Sequence, residues 1–65
     1  MFNVFVCNKY NEMMSFTLFD IHDALSLYYS IMKDNTVNYV SITSYHLDEN
    51  GKFFDSEIIR IYERD

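Results

Sequence analysis

The hydrophobic positions change their period along the chain. From Phe2 to Lys9 they alternate, with Phe2, Val4 and Val6 on one face and Asn3, Phe5 and Cys7 on the other. This is the two-residue repeat of a strand built from β-favouring residues. Tyr10-Asn11-Glu12 interrupts it as a turn. Alternation resumes from Met13 to Phe19, where Met14, Phe16 and Leu18 oppose Met13, Ser15 and Thr17. The two segments read as a hairpin. The period then lengthens. Ile21, Ala24, Leu25, Tyr28, Ile31 and Met32 form one apolar stripe at helical spacing, with His22, Ser26, Ser30 and Lys33 on the opposite side. Asp20 is the expected N-cap, with Thr17 as its competitor, and Asp23 sits in the first turn where the helix dipole favours a carboxylate. Asp34-Asn35 ends the helix, with Asn35 expected in the left-handed conformation of a C-terminal cap.

Val37 to Leu47 is a long segment rich in Val, Ile, Thr and Tyr, and Lys52 to Tyr62 returns as a second one. Asn50-Gly51 lies between them, a strong hairpin signal because both residues accept positive φ. Register decides which side chains share a face. A two-residue loop pairs Glu49 with Lys52, Ile42 with Ile59 and Val40 with Ile61, which gives a coherent core facing the helix. The other face then carries Tyr39 opposite Tyr62, Ser41 opposite Arg60, Thr43 opposite Ile58 and Tyr45 opposite Ser56. A longer loop built on Asp48 sets Val40 beside Arg60 and buries a charge, so the first register is preferred. The order β-β-α-β-β follows: an α+β domain with a four-stranded antiparallel sheet in the order 2-1-3-4 and one helix packed on one face.

Composition bounds what such a domain can be. The chain has 65 residues, 49% hydrophobic and 18% aromatic, with one cysteine, one glycine and no proline. One small domain is expected, burying about 60% of its unfolded surface. Lone Cys7 can make no internal disulfide and reads as a packing residue, and no Cys/His cluster offers a zinc site. The apolar content excludes disorder. No apolar run approaches the roughly 20 residues of a membrane span. The first residues lack the basic start of a secretion signal, and with a free thiol this suggests a reducing cytoplasm.

Ten Asp and Glu against five Lys and Arg give a formal net charge of -5. That balance argues against direct binding to nucleic-acid phosphates or anionic membranes. Asp48, Glu49, Asp55 and Glu57 gather around the last hairpin, relieved only by Lys52. Carboxylates on a projecting arm can imitate a phosphate track and occupy a basic groove; they also keep an edge from aggregating.

Catalytic and metal chemistry have little support. His46 and Asp55 face each other in the preferred register, but no nucleophile, oxyanion hole or Gly-rich phosphate loop accompanies them. His46, Asp48, Asn50, Gly51 and Glu57 partly follow calcium-loop spacing, yet the first position is histidine and no helices flank it. The sequence therefore points away from an enzyme and requires no cofactor.

The second sheet face is the most informative surface. It holds Phe5, Met13, Tyr39, Tyr45, Ile58 and Tyr62 among Ser41, Thr43 and Arg60, more apolar than a face left to water. The sequence thus suggests a protein-binding module. Its contact residues would be Tyr39, Tyr45, Ile58, Arg60 and Tyr62, with Asp48, Glu49, Asp55 and Glu57 at the acidic hairpin. The partner would be a protein, one with a basic groove if the carboxylates take part. The alternative is a structural subunit that forms a homodimer through the open face. In length and acidity the chain resembles the small inhibitor proteins encoded by phages and mobile elements, a likeness of class that covers no aligned residues.

Overall fold

A computed structural model describes residues 1–64. The elements are β1 (Phe2–Asn8), β2 (Met13–Leu18), α1 (Ile21–Met32), β3 (Val37–Leu47) and β4 (Phe53–Glu63). The strands form an antiparallel sheet in the order β2-β1-β3-β4, with α1 on one face. Fold class and strand order follow the expectation from the pattern. Val4, Val6, Val40 and Ile42 are fully buried, beneath Ala24 and Tyr28 of the helix. Val37 joins them because the β1–β3 ladder shifts by one residue between Cys7 and Asn8. The bulge returns Val37 to the same face as Val40, three residues on.

The two hairpins use the same loop. In the first, the Asn8 amide donates to the Glu12 carbonyl at 3.0 Å and the Asn11 amide donates to the Asn8 carbonyl at 3.1 Å. Asn8 Oδ1 also accepts from the amides of Tyr10 and Glu12. In the second, Asp48 takes the place of Asn8: its amide donates to the Lys52 carbonyl, its carbonyl accepts from the Gly51 amide, and its Oδ1 accepts from the amides of Asn50 and Lys52. Each is a three-residue loop whose last residue, Asn11 (φ 62°) or Gly51 (φ 79°), takes the left-handed conformation.

This loop corrects the expected two-residue turn. Leu47 pairs with Phe53 and His46 with Phe54. Carried through unchanged, that register would set Arg60 against Val40 at the centre of the core. Two irregularities prevent it. β4 takes up an extra residue near Asp55, which has φ 53°, and another at Ile59. Each bulge slides the strand by one position. Val40 therefore faces Tyr62, and Ile42 faces Arg60 with Ile59 beside it. Ile59 and Tyr62 pack against the core from the helix side, whereas Ile61 lies opposite Ser41 on the other face. Arg60 remains exposed, because β4 is an edge strand and its long side chain reaches water.

The helix ends are held by side chains. Asp20 accepts from the His22 amide at 2.7 Å as N-cap. At the other end, Lys33 and Asp34 amides tighten the last turn onto Ser30 and Ile31 carbonyls. Asn35 does not take the left-handed cap conformation expected of it, since the positive-φ residues are Asn11, Gly51 and Asp55. Asp34 and Arg64 do the work instead. Asp34 Oδ1 accepts from the amide and hydroxyl of Thr36, and these bonds hold its carboxyl below the ordinary carboxylate range, helped by Arg64 and Lys9. Arg64 donates to the carbonyls of Met32 and Asp34, both at 3.3 Å.

Candidate functional site: the open sheet face

The face away from the helix is built from the odd positions of β1, β2 and β3 and from the β4 residues paired with them. Phe5 and Tyr39 meet edge to face at 6.0 Å between centroids, and Tyr45 and Phe53 do so at 4.9 Å. These pairs shield one another, so Tyr45 is buried and Tyr39 half-buried. Ser41 is buried between Phe5 and Ile61, its neighbours across the strands. The two tyrosines thus form a platform, and little of either ring is left for a partner to cover.

On this face Met13 of β2 is exposed, and four more exposed apolar side chains lie on the β4 side. Leu47 is 42% exposed, Phe53 70%, Ile58 59% and Ile61 46%. Leu47 and Phe53 are a cross-strand pair, Ile58 lies opposite Thr43, and Ile61 lies opposite Ser41. These four residues make a strip along one edge of the sheet. A depression of about 360 Å³ lies beside it, lined by Asn3, Ser15, Thr17, Thr43 and Ser56 with Tyr45 and Phe53 as its aromatic wall. Ser15 donates to Asn3 Oδ1 at 2.6 Å on its floor.

The sequence-based contact set divides accordingly. Tyr39, Tyr45 and Ile58 lie on the open face as expected. Arg60 and Tyr62 do not: the bulge at Ile59 turns both to the helix side, where Tyr62 carries the Arg64 guanidinium over its ring at 5.6 Å. Leu47, Phe53 and Ile61 were not in the expected set and take their place. The signal for them was present, since Asp48 at the first and Gly51 at the fourth position of a turn mark a type I turn closed by a left-handed glycine. That loop makes Leu47 and Phe53 neighbours.

The acidic hairpin also changes. β3 and β4 run past the first residues of β1, whose Met1 bonds Tyr45, so residues 46–54 overhang the sheet. Asp48 commits its Oδ1 to capping the loop, while the residue itself stays exposed. Glu49 and Asp55 remain exposed at the tip, and Glu57 pairs with Ser44 on the helix side. The four carboxylates therefore do not line one surface. His46 does not meet Asp55 either: it pairs with Phe54 and its ring lies tilted against that ring at 5.5 Å. Among the described residues, no three His, Cys, Asp or Glu side chains gather closely enough to hold a metal ion. Among the described residues, no helix is long and apolar enough to cross a membrane.

Comparison with protein-family models, with curated proteins and with solved structures finds no match.

Proposed function

We propose that the chain is a small, non-enzymatic protein-binding module whose open sheet face docks a basic partner protein. The observation that carries this reading is the strip Leu47, Phe53, Ile58 and Ile61, four large apolar side chains 42–70% exposed on one face. Several large apolar side chains exposed on one face are the kind of surface that a partner covers. Glu49 and Asp55 at the hairpin tip and Glu63 opposite Tyr39 supply the acidic rim. Such a rim steers a basic partner and adds salt dependence to an otherwise apolar contact. A domain that occupies a basic groove in this way acts as an inhibitor of whatever the groove normally holds.

The test compares capture from a bacterial lysate by the native chain and by an Ile58→Glu/Ile61→Glu variant. Both positions are exposed edge-strand sites, so the variant keeps its circular dichroism spectrum. The expected result is a basic protein retained by the native chain, released progressively as salt rises and lost from the variant. An identical captured set from both chains, or capture indifferent to salt, overturns the reading.

A further inference from the structure

The sheet has two free edges, and they differ in kind. β4 is interrupted by two irregularities and carries Asp55, Glu57, Arg60 and Glu63, the devices by which edges are protected from pairing. β2 has none of them. Its sequence is Met-Met-Ser-Phe-Thr-Leu, without charge, proline or glycine. Its pairing with β1 runs unbroken from Cys7↔Met13 to Phe2↔Leu18, and Met13 through Thr17 are all exposed.

The backbone of this edge has a defined polarity. The Asn8–Glu12 closing bond fixes Asn8 and Glu12 as a hydrogen-bonded pair. Antiparallel pairs alternate, so Met14, Phe16 and Leu18 bond inward to β1. The amides and carbonyls of Met13, Ser15 and Thr17 therefore point out of the sheet and are offered to a further strand. A second antiparallel strand must bond odd residues to odd ones when that strand is another β2. Even residues then oppose even ones, and both helices lie on the same side of the joined sheet.

We infer that β2 is a self-pairing edge and that its partner is a second copy of this chain, joined about a two-fold axis at Ser15. Charge distribution selects the occupant. The chain carries a formal net charge of -5, and the acidic hairpin belongs to the far edge of the sheet. The β2 edge is where two copies meet without opposing those carboxylates; Met13–Leu18 itself carries no charge, and Glu12 and Asp20 lie just beyond its two ends. Register follows by the same reasoning. With Ser15 on the axis, Met14 faces the second copy's Phe16 and Met13 faces the second copy's Thr17. Shifting the axis to Phe16 would set Glu12 against the second copy's Asp20, a like-charge contact. On the helix side each chain has an apolar groove of about 250 Å³ between β2 and α1, walled by Met14, Phe16, Leu27 and Ile31. In the dimer the Met14–Phe16 pairs close the outer sides of both grooves, with the sulfur–aromatic contacts that methionine favours. The open faces and acidic hairpins stay free at the two ends, so this pairing is independent of the docking role proposed above.

Sedimentation over a concentration series from micromolar to millimolar tests the inference, with three variants beside the native chain. Thr17→Pro removes an outward amide and leaves the β1 ladder intact, because proline is tolerated at an edge position whose N–H faces solvent. Met14→Lys places a charge on the exposed edge. Ile61→Glu alters the open face alone. The native chain and Ile61→Glu are expected to reach twice the chain mass. Thr17→Pro and Met14→Lys should stay at the chain mass with unchanged circular dichroism. A native chain monomeric throughout overturns the inference, as does a dimer that survives both β2 variants or one that Ile61→Glu dissociates.

Discussion

Arg64, one residue beyond the last strand, donates through Nη2 to the carbonyl of Met32 at 3.3 Å. It thereby closes the C-terminal end of a helix that carries no basic residue in its own last turn. Unsatisfied carbonyls and the negative end of the dipole favour a cation there. The contact is also long-range in sequence, tying the end of the chain to the helix through the Tyr62 hydroxyl, which accepts from Arg64 Nε at 3.2 Å.

Arg64→Ala should cost roughly 1 kcal/mol, the scale of a charge at a helix terminus with partly exposed hydrogen bonds. In a domain of this size that lowers Tm by about 5 °C. Arg64→Lys keeps the charge but cannot bond Met32, Asp34 and Tyr62 together, so it should recover only part of the loss. Thermal melts of the three chains check this. An Arg64→Ala melt superimposable on the native one would show that the helix end is satisfied by water.

The paired loops give a prediction of opposite signs. Gly51 has φ 79° and nothing lies within 4 Å of where a Cβ would stand. Gly51→Ala therefore meets no clash, and its cost, about 1 kcal/mol, is the left-handed backbone alone. Asn11 holds the same place in the first hairpin at φ 62°. Asn11→Gly should raise stability, by about 0.5 kcal/mol, since glycine adopts this region without the Cβ penalty. Urea titrations of both variants read the two shifts directly, and equal signs would contradict the common loop geometry.

The register of β4 can be tested by truncation. Tyr62 packs on the core from the helix side, while Ile61 points to the open face and is 46% exposed. Tyr62→Ala should cost about 2 kcal/mol, and Ile61→Ala less than about 0.5 kcal/mol. The register of a two-residue turn, with Val40 against Ile61, reverses that order. Chemical denaturation of the two variants therefore decides between the registers.

The elements and their order were legible because each carries its own period. Phe2–Asn8 and Met13–Leu18 alternate, and Ile21–Met32 repeats at helical spacing behind the Asp20 cap. The site was legible only in part. Tyr39, Tyr45 and Ile58 sit on β3 or at the one stretch of β4 where the expected pairing holds, Thr43 with Ile58 and Ser44 with Glu57. Beyond it, bulges at Asp55 and Ile59 reassign faces, and no local signal marks them. Asp55 takes a conformation that its own type seldom adopts outside turns, and the Ile59 bulge arises from what the helix can cover rather than from β4 itself. Bringing Tyr62 beneath α1 and leaving Arg60 in water is a tertiary choice, invisible to a strand read alone.

Tyr28 gives the fold a pH limit. Burial beneath the helix disfavours its phenolate and raises its pKa above the ordinary 10.0, with Tyr29 and Tyr62 adding to the shift and Arg60 opposing it. In the unfolded chain the phenol ionises near its ordinary value, so above it the unfolded state binds fewer protons than the folded one. The sign is then fixed: Tyr28 leaves stability unchanged below pH 10 and removes it progressively as pH rises toward the raised value. Tyr28→Phe cannot ionise. Urea titrations at pH 8 and at about pH 11 should show the native chain losing more stability over that interval than Tyr28→Phe. An identical loss in the two chains would mean that the Tyr28 hydroxyl meets water in the folded state, and that the helix sits less closely on Val40 and Ile42 than the core packing requires.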